Sequence, residues 1–247
     1  MIISVFSPVW FFTIVLGVAV LVLLSLLMRN NSREQKLHFM KVLSGAGIVF
    51  LLAYKVWIFF DPGYDAIFFD ELPLNLCNIA LVISYFAAKK DQRQLQAFLF
   101  FISTWGATMA LLMPSDGFYD VPIYLARCIG YWGFHLLVLV ISIGYVSLGI
   151  YQPRLRDIPY ACLMLAGIGA LAHGCNTLLR ATVSPTANYF FTYGIEGNFI
   201  TDGLLRLIPC PFIFMLPLLL LLALVDCLVC LLVKIKRYKA ADVGITV

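Results

Sequence analysis

Three polar side chains sit four residues apart within one apolar stretch: Arg127, Tyr131 and His135. On a helix that spacing makes one stripe, descending about 12 Å at ~1.5 Å per residue. A guanidinium above an imidazole suits an anionic head group with a proton-transfer group beneath it. In the blander alternative Arg127 snorkels to the surface and His135 bonds a neighbouring helix. Other polar groups interrupt other apolar runs: Asn75, Cys77 and Asn78, then His173 and Asn176, then Asp226. Inside a membrane such groups are costly and are functional candidates by default. Cys77 is either a small apolar filler or a nucleophile. In the second case a nearby imidazole takes the thiol proton and the thiolate attacks an acyl carbonyl. His135 counts deeper along its run than Cys77 does, a gap that tilt or a later helix start would close. Asp226 stands among Leu and Val, where a carboxyl group must be paired, protonated or wetted; a structural hydrogen bond is expected.

The elements that carry these residues are membrane spans. The chain has 247 residues, 62% of them hydrophobic and 12% charged, with a mean hydropathy of +0.96. Soluble domains hold about 25% charged residues. A spanning helix needs ~20 mostly apolar residues, and charged clusters divide the chain into about seven such runs. They fall near 5–27, 38–60, 72–88, 95–113, 122–150, 158–179 and 207–233, which predicts an all-α polytopic bundle forming a single domain over residues 1–247. Pro73, Pro122 and Pro159 are placed in first turns, where a missing N–H costs nothing. The first run is longer than a signal-peptide core and has no basic residues before it, so it reads as a retained helix.

Lys and Arg collect in alternate loops. Arg29, Arg33, Lys36 and Lys41 flank the first loop, Lys89, Lys90 and Arg93 the third, and Arg154 and Arg156 the fifth; Lys234, Lys236, Arg237 and Lys239 form the tail. Acids fill the others: Asp61, Asp65, Asp70 and Glu71, then Asp116 and Asp120, then Glu196 and Asp202. The positive-inside rule then places the N-terminus outside and the C-terminus in the cytoplasm. The net charge of +4 is a topology signal and implies no nucleic-acid partner. The cysteines lie mostly within spans, unlike a secreted disulfide framework. Cys227 and Cys230 form a C-x-x-C on a helix, outside the context of a redox motif. His38, His135 and His173 fall on different runs without a carboxylate cluster, so neither a metal nor a cofactor is expected.

Residues 72–78, Leu-Pro-Leu-Asn-Leu-Cys-Asn, resemble the L-P-L-x-L-C-N signature of the YwaF / TMEM164 family of multispanning membrane proteins. Residues 127–135 are similar to that family's Arg-then-His motif on a later helix. Asn176, the Asn188-Tyr189 pair and Pro209-Cys210-Pro211 fall where the family has an Asn, an Asn-Tyr and a Pro-Trp-Pro. The resemblance runs from about residue 72 to the end of the last span. In departure from it, Asn75 stands where bacterial members often have His, Phe134 replaces a small residue, and Cys210 replaces the Trp.

That resemblance implies a phospholipid-remodelling acyltransferase, with Cys77 and His135 as the catalytic pair. Cys77 would form a thioester and His135 would act as general base, then general acid. Arg127 would hold a lipid phosphate, and Asn75 or Asn78 would donate to the oxyanion. Tyr131 and Asn176 complete the substrate-binding candidates, and the partners would be phospholipids or lysophospholipids. Two other classes remain open. A transporter or channel would line its path with Arg127, His135, His173 and Asp226. A non-catalytic scaffold or receptor would use none of this chemistry.

Overall fold

The computed structural model describes residues 2–114, 117–195 and 199–242, with the side chains of Phe199 and of residues 234–242 excepted. Ser115, Asp116, Glu196 and the side chains of the basic tail therefore lie outside the described residues. The architecture is all-helical, as the composition requires. α1 spans Pro8–Met28, α2 Arg33–Trp57, α3 Leu76–Lys90, α4 Arg93–Phe98, α5 Thr104–Leu112, α6 Ala126–Ser147, α7 Ile158–Thr182, α8 Phe199–Leu207 and α9 Leu216–Asp242. A π-turn at Leu99–Ser103 joins α4 to α5 in one continuous helix. The only strand pairing among the described residues is a short antiparallel one, Ile2–Ile3 against Val121–Pro122.

Six of these helices, with their adjoining turns, are long and apolar enough to cross a membrane: Pro8–Met28, Arg33–Phe60, Arg93–Leu112, Ala126–Ser147, Leu155–Thr182 and Ile213–Val233. The chain is thus an integral, multi-pass membrane protein. α3 is the exception at 15 residues, about 22 Å long against a hydrocarbon core of ~30 Å. The sequence began this helix at residue 72. In the structure residues 72–75 are non-helical, because Pro73 biases its predecessor away from helix. Pro122 also lies before its helix, in the short strand, whereas Pro159 does occupy a first turn. The last span, expected from about residue 207, starts later, at Ile213. Pro209 and Pro211 interrupt the chain between α8 and α9, since neither can donate a helical hydrogen bond.

α6 is the central helix, packing against α1, α2, α3 and α5, while α2 also packs along α3. Where helix backbones approach, glycines make the room. A β-carbon on Gly130 would fall 1.8 Å from the Tyr54 ring, and one on Gly17 of α1 would fall 2.3 Å from Leu136. α1 otherwise buries little but Trp10 and Gly17, so most of its surface faces lipid. Its Trp10 indole donates to the Leu111 carbonyl at 2.9 Å. Near the middle of the bundle, the Ser44 and Ser84 hydroxyls lie 2.6 Å apart and Tyr145 donates to the Ser84 carbonyl at 2.7 Å. At one end of the bundle Arg33 forks onto Asp91 at 2.7 and 2.9 Å and reaches the Ile150 carbonyl at 2.8 Å. Arg93 pairs there with Asp157, which also accepts from Tyr151 at 2.9 Å. The opposite end, holding the loop at residues 61–75, carries the candidate site.

Candidate functional site

Cys77 is the second residue of α3 and is 8% exposed. A helix leaves its first N–H groups without intrahelical partners, and no side chain caps this start. Cys77 therefore sits in the first turn, at the positive end of the helix dipole. Gly106 of α5 leaves space beside it: a β-carbon there would lie 3.9 Å from the sulfur.

His135 lies on α6 with its Nδ1 2.8 Å from the Tyr131 carbonyl oxygen. A carbonyl can only accept, so Nδ1 carries the proton and Nε2 keeps the lone pair that a general base needs. Two contacts tie α6 to its neighbours beside this ring. At Gly47 of α2, a β-carbon would meet Leu81 of α3 at 3.1 Å and Leu137 of α6 at 3.0 Å. α3 and α6 thus both pack on α2 at this glycine. The second contact is the Tyr131 hydroxyl bond to the Ala110 carbonyl of the antiparallel α5 at 2.9 Å. No hydrogen bond joins the Cys77 sulfur to His135. Phe134, the neighbour of His135, packs in the same buried cluster as Cys77.

Arg127 does not snorkel. It is 8% exposed and lies 3.8 Å from Asp61 through Nη1, which also donates to the Pro62 carbonyl at 3.2 Å. The other Asp61 oxygen accepts the Arg127 backbone N–H at 2.6 Å, so one carboxylate both caps α6 and offsets the guanidinium charge. Arg127 Nε and Asp61 Oδ1 remain without hydrogen-bond partners. Tyr131, besides its bond to Ala110, stacks on Phe118 with centroids 4.7 Å apart.

Asn75 accepts from the Phe190 N–H at 3.3 Å, tying the start of α3 to the loop after α7. Asn78 is buried, and its amide makes no hydrogen bond among the described residues, which leaves its donors open to a ligand. Asn176 is instead engaged on all sides. Its amide donates to the Tyr189 carbonyl and the Thr192 hydroxyl, each at 2.8 Å, and accepts the Tyr189 N–H at 2.8 Å. It holds the loop after α7 in place. His173 joins the same knot through Thr192 at 3.0 Å. Asp226 accepts from the Trp105 indole at 3.0 Å, the structural hydrogen bond expected of it.

Several groups at this end are not apparent from the sequence. Lys55 pairs with Glu71 at 2.6 Å, and Tyr64 donates to the other Glu71 oxygen at 2.6 Å. Burial and that carboxylate hold the Tyr64 hydroxyl well above the usual tyrosine range. Asp70 accepts from Ser184 and, at 2.6 Å, from Thr186, so the loop after α7 is latched to the loop before α3. The one available signal was Lys55, a lone cation inside an apolar run.

The comparisons with known proteins agree with this architecture at the level of family. No curated protein and no solved structure matches the chain. The model of the TMEM164 family matches residues 5–233, well beyond the stretch whose motifs carry the resemblance. The chain belongs to the TMEM164 family.

Proposed function

We propose that this protein is a membrane-embedded phospholipid acyltransferase with Cys77 as nucleophile and His135 as general base. The observation that carries the reading is the pairing of two environments. A buried thiol lies at an uncapped helix start, and an imidazole on α6 donates Nδ1–H to a backbone carbonyl, which leaves Nε2 with its lone pair.

In the first half-reaction the Cys77 sulfur attacks the acyl carbonyl of a phospholipid while its proton passes to His135 Nε2. The oxyanion is met by the N–H groups that open α3 and by the Asn78 amide, donors fixed in place before reaction. Collapse breaks the ester bond, His135 returns the proton to the leaving glycerol oxygen, and a thioester remains on Cys77. In the second half His135 takes the proton of an acceptor hydroxyl, which attacks the thioester and frees the thiol. Lys55, Tyr64 and Arg127 are the polar groups that face the lipid phosphate at this end. Because Asp61 already offsets Arg127, phosphate would share that cation.

The test uses purified protein in mixed micelles with a labelled phospholipid donor and a lysophospholipid acceptor. Acid should trap label on the wild type and hydroxylamine should release it. Cys77→Ala should fold, insert and carry no label, and His135→Ala should neither form nor resolve the thioester. Transfer by Cys77→Ala at the wild-type rate would eliminate covalent catalysis at this residue.

A further inference from the structure

α8 has no part in the chemistry described so far. It lies between the spans α7 and α9 in the chain. It packs on the turn Ile213–Met215 and, among the described residues, not lengthwise on either span. With ~3.6 residues per turn, its side chains sort into three edges. Ile200, Leu204 and Leu207 share one edge, Thr201 and Leu205 a second, and Asp202 and Arg206 a third.

Each edge has its own surroundings. The second meets protein. Leu205 fills the space beside Gly194, where a β-carbon would fall 2.6 Å from it. The buried Thr201 hydroxyl donates to the Ile195 carbonyl at 3.0 Å. On the third edge Arg206 is exposed and Asp202 half-buried. On the first, Leu207 is 81% exposed and Ile200 38%, so large apolar side chains stand at the surface a third of a turn away from charged ones.

The level of α8 follows from α7. Tyr193, the neighbour of Gly194, lies under the Arg180 guanidinium at 4.5 Å, and its hydroxyl is 3.0 Å from that of Thr177. Those contacts belong to the last two turns of α7, which ends at Thr182. With its first turn this span has 28 residues, about 42 Å against a hydrocarbon core of ~30 Å. Its last turns therefore stand in the headgroup layer at the acidic end of the bundle, and α8 stands beside them. The corner into α9 is pinned as well. The Phe212 N–H donates to the Thr192 carbonyl at 2.7 Å, and the Phe212 ring seats on Gly169, 3.1 Å from where a β-carbon would be. Beyond that corner the exposed apolar surface continues down α9 through Ile213, Leu216, Leu220 and Leu224, side chains that meet lipid.

We propose that α8 is an interfacial helix lying along the phospholipid leaflet at the acidic end of the bundle. Ile200, Leu204 and Leu207 enter the upper acyl chains, while Asp202 and Arg206 face the headgroups and water. The occupant of the apolar edge is lipid because that edge runs on into the lipid-facing surface of α9 at the depth where headgroups give way to chains. An amphipathic helix settles at that boundary because each of its faces finds its own medium there. α8 carries one acid and one base, so its contact rests on apolar area and needs no anionic lipid. This reading is independent of acyl transfer.

The experiment starts from full-length protein carrying Cys175→Ser and Cys210→Ser, which removes the two exposed cysteines. A nitroxide is attached at Leu207→Cys or at Arg206→Cys, and the protein is placed in phosphatidylcholine nanodiscs. Paramagnetic resonance then reads collisions with oxygen, which concentrates in acyl chains, and with a nickel chelate, which stays in water. Signal from the remaining cysteines is subtracted using the double-serine protein. Position 207 should favour oxygen and lie about 5–10 Å below the phosphates, and position 206 should favour nickel. Leu207 is so exposed that its replacement removes little packing; Asp202→Cys supplies the aqueous position should Arg206→Cys fold poorly. Nickel access at both edges would overturn the proposal by putting α8 in water. Protection of position 207 from both reagents would overturn it too, since protein, such as a second copy of the chain, would then cover that edge.

Discussion

Arg127 illustrates how a residue's surroundings change its meaning. Alone in an apolar run it is a cation seeking an anion. In the folded chain Asp61 supplies that anion and caps the helix as well. Both side chains are buried, so removing one leaves an uncompensated charge. Asp61→Ala should cost about 3–5 kcal/mol, the range for a broken buried pair. Thermal unfolding in detergent should also find the Asp61→Ala/Arg127→Met double variant well above the sum of the singles, since the two are coupled. Equal additive losses would show that no pair exists. Tyr189 offers a test by pH. Its hydroxyl donates to the Phe69 carbonyl, and burial first, with Asp70 and Glu71 beside it, raises it from 10.0 to about 12. The folded state therefore holds this proton more tightly than the unfolded one. Stability from the contact is complete below pH 10 and is lost as pH climbs towards 12. Tyr189→Phe should flatten the alkaline arm of a stability–pH curve, and an unchanged arm would assign it to other groups.

At the scale of elements, the helix pairs are set by which residues lack a side chain. Gly130 lies inside the motif that carries Arg127 and Tyr131, and Tyr54 of α2 occupies the space its side chain would fill. Gly130→Ala should therefore cost about 1–3 kcal/mol by overpacking and displace α2 from α6. Adding Tyr54→Ala should restore folded protein in size-exclusion and thermal assays. If the double variant is no better than the single, the Tyr54–Gly130 contact is not what limits the seam. The start of α3 is also an element-scale property. Residues 72–75, around Pro73, are non-helical, so the helix begins at Leu76, immediately before Cys77. The run of Leu residues around Pro73 reads equally well as a first turn, and only packing against α5 and α6 decides the matter.

At the scale of the whole molecule, charge sorts the loops. Arg33, Arg93, Asp91 and Asp157 tie one end together, while Asp61, Asp70 and Glu71 populate the other. The cations at the acidic end are offset locally: Lys55 by Glu71, and Arg127 by Asp61. Arg180 donates to the Ala187 carbonyl. We propose on this basis that the loop at residues 61–75 faces outward and the basic end faces the cytoplasm. Substituted-cysteine labelling of position 65 from outside, with position 36 accessible only after permeabilisation, is the expected result. Labelling of both from one side would refute that orientation.

The sequence by itself determined the membrane setting, the all-helical class and the short set of polar residues worth inspecting. Long apolar runs and charged breaks are local properties, and the bilayer leaves a backbone few ways to satisfy its hydrogen bonds. Family membership was legible too, in seven residues around Cys77 and nine around His135. Only the tertiary structure decided what each polar group faces. Asn176 anchors a loop and Tyr131 ties α6 to α5, while Lys55, Tyr64, Asp61 and Glu71 gather around Arg127 and the start of α3 without any of them standing out among the candidates read from the sequence. The physical reason is that partners such as Asp61 and Arg127 are 66 residues apart. Their pairing depends on how helices rotate and nest around glycines, and no local pattern along the chain encodes it.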